Sequence, residues 1–436
     1  MRSYYLPLGL SVLLIHPLFA LAEVPLPMLS AQVIGAEAAT TQAILTLPAA
    51  IALALQRNPD LKIAARDIEI SAGLLSQAGL RPNPELSLQS EGLQKNNRTT
   101  TILFNQALEL GGKRPARMAA AERERDVAFA DLALRRTEVR ALVVAAFFEA
   151  LTAQERLQLA EASQALAQSV QHAAARRVLA GKVSPMEETR AKIAQAGALI
   201  EMRQAASALA LAEQRLAALW GDAKLQWGRL EVPKEALLTL DANTSLPQLL
   251  SRLDTAPQML RSRLEITRQQ SLVEVELSRR VPDLTVSFGS KRDEQAGRSQ
   301  ATIGLSLPLP LFNRNQGNVL SALRKTDKAR DELAAVEKRL ASELAQAWLR
   351  YETTRSELSI LRSDMLPGAQ SAFDAASQGF ALGKFNFLDV LDAQRTLFQS
   401  KSQYLSALAE SHRATADIER LVGVDPSTST SQQDPL

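Results

Sequence analysis

The sequence predicts a mostly α-helical fold with a small β part, laid out as two α-β-α repeats in an exported chain. Three observations lead there. The N-terminus is built like a secretory leader, the two halves share a spaced set of motifs, and within each half the hydrophobic period switches from about 3.6 to two and back.

Arg2 precedes an apolar stretch from Leu6 to Leu21, which closes on Ala20-Leu21-Ala22 before Glu23. A basic start, an apolar core and a small-residue end predict a cleavable signal peptide over 1–22. Pro7 and Pro17 inside the stretch weigh against a permanent anchor. Beyond it, the longest apolar run is Ala141 to Phe148, far short of the roughly 20 residues that a spanning helix needs. The 436 residues include no cysteine. That excludes disulfides, thiolate metal sites and cysteine nucleophiles, together with a lipidated N-terminus, which needs a cysteine after the cleavage point.

The 50 basic and 47 acidic residues are spread along the chain, without a basic run interleaved with aromatics. No nucleic-acid partner is expected. An enzyme is not expected either. The three histidines (His16, His172 and His412) stand far apart, and HExxH, GxSxG and Gly-rich phosphate loops are absent. With seven methionines and two histidines beyond the leader, no metal-ligand cluster or cofactor site is legible.

The repeat rests on five anchors. Pro59 and Pro257 stand 198 residues apart, as do Pro84 and Pro282. Leu108 and Leu309 are 201 apart, while Gly181 and Gly383, like Gly221 and Gly423, are 202 apart. The expected layout is a leader 1–22, a first repeat 23–221, an inter-repeat linker 222–245, a second repeat 246–423 and a disordered tail 424–436. The first repeat holds a helix, a hairpin over about 84–109, a long helix over about 116–179 and a helix over 184–220. In the second come a helix, a hairpin over about 282–309, a long helix, a tip at 383–386 and a helix over 387–421.

Each hairpin alternates. Leu86 and Leu88 are interleaved with Glu85, Ser87, Gln89 and Glu91, and Ile102, Phe104 and Leu108 continue the pattern. Leu284, Val286 and Phe288 alternate with Asp283, Thr285 and Ser287, and Ile303, Leu305 and Leu307 follow suit. Such strands, apolar on one face and polar on the other, suit either a half-buried soluble sheet or an outer-membrane barrel. Two strands per half are too few for a sheet domain in a chain this long. Four cannot close a barrel, because the minimum is about eight. A barrel therefore requires oligomerisation, and the arithmetic leaves two or three chains open.

After the first hairpin, no proline or glycine interrupts the chain from Ala116 to Leu179. A helix of about 64 residues would run roughly 95 Å and needs a partner along its length. In the second half Leu340, Leu344, Trp348 and Tyr351 show helical spacing, and Pro367-Gly368 lies where a kink is expected.

Four segments, GLRPNPELSL, QALELGGKR, LPLPLFNRNQG and LGKFNFLDVLDAQR, occur in the right order on the right repeat. They resemble the TolC-like outer-membrane efflux protein family over essentially the whole mature chain, in particular its cobalt–zinc–cadmium resistance (CzcC-like) branch. The resemblance implies a homotrimer with four transmembrane β-strands per chain, a twelve-stranded barrel in outer-membrane lipid, and a coiled-coil α-barrel tunnel across the periplasm. It further implies a periplasmic adaptor (membrane fusion protein) and an inner-membrane RND-type transporter as partners, with divalent heavy-metal cations as cargo. Efflux of organic compounds and type I protein secretion remain open as alternatives.

Two GK segments mark helical hairpins. Gly181 is placed to end the long helix, with Ser184 as N-cap, Pro185 in the first turn and Glu187 as the capping-box acid of the next. In the second repeat Gly383 stops the chain, Asn386 is placed to cap, and Asp389 takes the place of Glu187. On spacing alone these residues terminate and start helices. The resemblance makes the hairpins periplasmic tips, with Asp389, Asp392 and Glu187 as gate acids. Gly181, Lys182, Val183, Ser184, Gly383, Lys384 and Phe385 become the adaptor contacts. Arg190 stands opposite Asp392 in the repeat, so the implied ring is asymmetric.

Overall fold

A computed structural model describes residues 44–92, 97–221, 227–231, 240, 244–382, 384–385 and 387–423. All of them belong to one unit, Gln42–Leu436. The expected leader 1–22, the tail 424–436, most of the linker 222–245, Gly383 and Asn386 lie outside the described residues.

The chain opens with a two-residue strand, β1 (Leu45–Thr46), followed by α1 (Leu47–Arg57) and α2 (Pro59–Ala78). Asn58 separates these helices and is buried. Its Oδ1 accepts from the amides of Asp60 and Leu61, capping α2, and its Nδ2 donates to the Leu219 carbonyl at 2.7 Å. Strands β2 (Glu85–Glu91) and β3 (Thr99–Leu108) form the first hairpin. The helix α3 (Lys113–Leu179) runs 67 residues, about 100 Å, and α4 (Pro185–Ala218) returns alongside it.

After β4 (Leu230–Glu231), which pairs in parallel with β1, the pattern recurs. It runs through α5 (Leu246–Arg252), α6 (Pro257–Ser278), β5 (Leu284–Asp293), β6 (Arg298–Ser306), α7 (Gln316–Ile360), α8 (Leu366–Ala381) and α9 (Phe387–Val422). The ends of the two halves match in space. Gly221 lies against Pro59, and Gly423 lies against Pro257.

The expected kink at Pro367-Gly368 is resolved upstream. Residues Leu361–Met365 form a π-helical turn in which the Leu366 amide reaches back to the Leu361 carbonyl. The wider turn accommodates a proline that offers no N–H and would crowd the carbonyl four residues earlier.

Among the described residues, the two larger apolar cores lie between the helices. In the first, Val143, Val144, Phe147 and Phe148 of α3 meet Leu216, Trp220 and Leu230. Half of the apolar run Ala141–Phe148 is thus buried in this core, while Leu142 beside it is exposed. Gln154, also buried, clamps the strand there: its Nε2 donates to the Leu230 carbonyl and its Oε1 accepts from the Leu230 amide. In the second core Leu340, Leu344 and Ala347 of α7 pack with Leu249, Leu253 and Ile418. Charge pairs tie α6 to α3: Arg261 to Asp131 at 2.9 Å and Arg268 to Glu124 at 2.6 Å. Burial pushes the neighbouring Glu265 carboxyl up, but hydrogen bonds from Arg268 and Gln269 outweigh it and hold that carboxyl below its ordinary value.

The two hairpins join into one antiparallel sheet of order β2-β3-β5-β6. Its central pairing is between repeats, with Phe104 opposite Phe288 and Leu108 opposite Leu284. The register brings Leu86, Leu88, Ile102, Phe104, Phe288 and Ile303 onto one face. On the other face Ser287 Oγ donates to Asn105 Oδ1 at 2.6 Å, and Asn105 Nδ2 donates to Ser87 Oγ at 3.2 Å. Asp283, expected on this polar face, instead precedes β5 and pairs with Lys113 at the start of α3.

In the middle of the sheet β3 and β5 approach so closely that a Cβ on Gly289 would sit 1.9 Å from the Ile102 carbonyl oxygen. At Gly304 a Cβ would meet only Ser287 Cβ, at 3.6 Å. Gly289→Ala is therefore expected to destabilise the protein by about 1–3 kcal/mol, and Gly304→Ala to have little effect. Thermal unfolding in detergent checks this. Equal losses for the two variants would mean that β3 and β5 do not pair in this register.

Candidate functional site: the helical tips and the groove between them

The first tip is a tight reversal. Gly181 has φ 67°, a left-handed conformation costly for any residue with a Cβ. Its amide donates to the Val178 carbonyl and the Lys182 amide to the Arg177 carbonyl, each at 2.9 Å. This is the paired bonding of a Schellman stop. Ser184 then caps α4, its hydroxyl accepting from the Met186 amide at 3.3 Å. A capping box uses the amide one residue further on. Here the Glu187 amide bonds the Ser184 carbonyl instead, at 2.9 Å. Lys182 is exposed, Val183 is half-buried, and Glu187 is half-buried in the first turn of α4.

At the second tip the Lys384 and Phe385 amides both reach the Gly379 carbonyl, at 2.8 and 3.2 Å. The Phe385 ring lies directly over Gly379, where a Cβ would fall 2.1 Å from Cδ2. Half of this expected adaptor contact is therefore committed to its own hairpin, and Phe385 stays 49% exposed. Asp389 is exposed in the first turn of α9, where the helix dipole favours an acid.

The two tips are held together by residues that sequence reasoning did not single out. Val170 and Ala174 of α3 and Ala191 of α4 are packed against Phe380 of α8 and Leu391 of α9. Arg177 sits 4.5 Å from the centroid of the Phe380 ring, a cation–π contact. Arg177 and Phe380 come from different repeats, so no local pattern announces the pair.

From this cluster a groove of about 1010 Å³ opens between the hairpins. Ala194, Gly197 and Ala198 of α4 line one side, and Asp392 and Arg395 of α9 the other. Side chains join α3 to α9 along it: Gln394 Nε2 donates to Ser163 Oγ at 3.1 Å and Arg156 to Ser406 Oγ at 2.6 Å. Of the three expected gate acids, Asp392 lines this groove, whereas Asp389 and Glu187 occupy the first turns of the two return helices. Glu201, Glu357, Arg156 and Arg395 also line it, so within one chain it carries both signs. Among the described residues, no three His, Cys, Asp or Glu side chains gather to hold a metal ion.

A small-residue groove between two long helical hairpins, with a four-stranded sheet at the other end of α3, has a counterpart among known proteins. A family model described as outer membrane efflux protein matches the chain twice, over residues 50–222 and 249–424. The chain belongs to the outer membrane efflux protein family. The double match falls on the two halves that the sequence pattern separates. Among relatives, the chain is 45% identical over 424 residues to the cobalt-zinc-cadmium resistance protein CzcC of Cupriavidus metallidurans, covering 97% of this chain and 100% of that one. It is 27% identical over 293 residues to the nickel-cobalt-cadmium resistance protein NccC of Alcaligenes xylosoxydans xylosoxydans, covering 65% and 64% of the two chains.

Solved membrane-protein structures share the fold. CusC aligns with TM-score 0.72 at 17% identity, over 86% of this chain and 92% of that one. VceC of Vibrio cholerae aligns with TM-score 0.70 at 19% identity, over 86% and 96%. The family consists of efflux channels rather than enzymes, so the groove and tips belong to a conduit and not to a catalytic centre.

Proposed function

We propose that this protein is the outer-membrane duct of a tripartite RND-type efflux system, passively conducting divalent heavy-metal cations from an adaptor and inner-membrane pump to the outside. The uncovered sheet carries the duct reading. No helix is packed on either face among the described residues, leaving Leu86 72% and Ile303 82% exposed. Each such side chain left in water forgoes roughly 1.5–3 kcal/mol, so four of them rival the whole stability of a typical domain. Lipid on the apolar face and water on the Ser87–Asn105–Ser287 face satisfy both sides.

Among the described residues, strands β2 and β6 each have one unpaired edge. Three copies would join β2 of one chain to β6 of the next and close twelve strands, the trimer that the family resemblance implies. None of the described helices is long and apolar enough to cross a membrane, so the sheet is the element proposed to do so. In this reading residues 1–22 are removed on export, the mature chain carries no lipid, and the domain layout is leader, two repeats, linker and tail.

The cargo rests on the 45% identity to a cobalt-zinc-cadmium resistance protein over nearly the full chain. A duct of this kind would pass ions without holding them tightly. Deleting the gene is expected to sensitise the host to zinc, cobalt or cadmium. Unchanged growth in all three metals, with sensitivity to organic compounds instead, would replace the metal reading with drug efflux.

The tips form the periplasmic door in this proposal. Three copies of Asp389, Asp392 and Glu187 would gather around one axis and focus negative potential at the mouth, favouring cations. Lys182, Val183, Lys384 and Phe385 would meet the adaptor, beside Gly181, Ser184 and Gly383 at the turns. In planar bilayers, Asp389→Ala combined with Asp392→Ala is expected to lower the cation preference and change single-channel conductance. If neither moves, these acids do not line the gate.

A further inference from the structure

One end of the sheet carries a feature that neither strand pairing nor gating uses. Residues 307–312, Leu-Pro-Leu-Pro-Leu-Phe, follow β6 without entering a strand or helix. Leu307, Leu309, Leu311 and Phe312 are all exposed, Phe312 at 91%. The apolar positions of β6, Ile303 and Leu305, run on at the same two-residue spacing through Leu307, Leu309 and Leu311. Pro308 and Pro310 offer no N–H, so the segment presents side chains rather than a ladder for another strand. An apolar stripe thus continues past the last paired residue of the sheet.

A second feature lies at the same end. The antiparallel register brings together the start of β2, the end of β3, the start of β5 and the end of β6. Within eight residues of those four termini stand five exposed arginines: Arg81, Arg114, Arg279, Arg280 and Arg314. Arg279 pairs with Glu276 at 2.6 Å, whereas Arg114 and Arg314 use their Nε on backbone carbonyls, of Gly79 and Pro310. Backbone carbonyls carry no net charge, so the positive charge there is only partly compensated. Of the carboxylates nearby, Asp283 pairs with Lys113, Glu109 with Arg117 and Glu276 with Arg279, while Glu85 at the start of β2 is exposed, so five arginines stand beside one exposed carboxylate.

Apolar side chains beside a basic belt match the boundary of a bilayer, where acyl chains give way to phosphates. We propose that the 307–312 segment and the flanking arginines form a collar that seats the protein in the headgroup region of the periplasmic leaflet. The partner is a phospholipid surface bearing phosphate groups. In a chain that has no cysteine to carry a thioether-linked lipid, the collar fixes the depth of the sheet in the membrane. It rests on the reading of the sheet as membrane-spanning and adds to it.

The lack of cysteine makes the test direct, since one introduced cysteine takes one spin label. Phe312→Cys probes the collar, Ile303→Cys the apolar face of the sheet, and Lys182→Cys the tip in water. Each labelled protein is reconstituted in phosphatidylethanolamine–phosphatidylglycerol vesicles, and collisions with oxygen and with a water-soluble nickel chelate are measured. The collar predicts several-fold fewer nickel collisions at 312 than at 182, with oxygen collisions raised toward those at 303. Nickel access at 312 equal to that at 182 would overturn it. So would a 312 label reached by neither reagent, which would place a neighbouring copy over the segment. If the 303 label is itself water-exposed, the membrane reading of the sheet fails, an outcome distinct from failure of the collar alone.

Discussion

In the four-stranded sheet, hydrogen bonding and apolar burial are both left incomplete by the single chain. The ladders from β2 to β6 are paired throughout their interior, down to a close approach at Gly289 that only a glycine allows. Yet among the described residues one edge of β2 and one edge of β6 stay open, and Leu86, Leu88, Ile303 and Leu305 are exposed with no helix packed on them. Open edges and an uncovered apolar face are what soluble proteins avoid. Here they sit back to back with a hydrogen-bonded polar face, and in the proposed duct both needs would be met by neighbouring copies in lipid. The rest of the molecule is arranged around that requirement.

The helix α3 begins beside the sheet, where Lys113 holds Asp283, and ends at Gly181. Sheet and tip therefore stand at opposite ends of one 67-residue element. A helix of that length gains little from propensity alone and depends on partners. It has them along its whole course: α6 and its charge pairs near the sheet, the Phe147–Phe148 core in the middle, and α4 and α9 toward the tips. Near the tips the packing thins to Val170, Ala174, Ala191, Phe380 and Leu391, with Arg177 over Phe380. Few apolar contacts and many small side chains mean a low local cost of separation. In the proposed duct this is where a door belongs.

Much of this was readable from local pattern. The hairpins followed from period-two alternation, α3 from an uninterrupted stretch, and the stop at Gly181 from a glycine before a serine cap. What stayed hidden was long-range. The β3–β5 pairing joins residues more than 170 positions apart, and no local signal chooses it over pairing each hairpin elsewhere. Pro367 announced a distortion, but its cost is met in the π turn before it. Asp283 read as one more polar strand residue because alternation does not show where a strand begins. Phe385 read as free for a partner, while the ring-sized space over Gly379 could not be seen without the fold. The gate acids were placed by resemblance, and of these Asp392 lines the groove.

The central claim is that the open edge of β2 is completed by β6 of another copy. Disulfide trapping addresses it directly in a chain with no cysteine of its own. Ser87→Cys on β2 is combined in turn with Gln300→Cys, Thr302→Cys, Gly304→Cys and Ser306→Cys on β6, and the membrane-embedded protein is oxidised. The account predicts that at least one pairing yields a covalent ladder ending at three chains, collapsed by reductant. Well-folded protein that forms no inter-chain disulfide at any pairing, or a ladder that ends at two or continues past three, would contradict it.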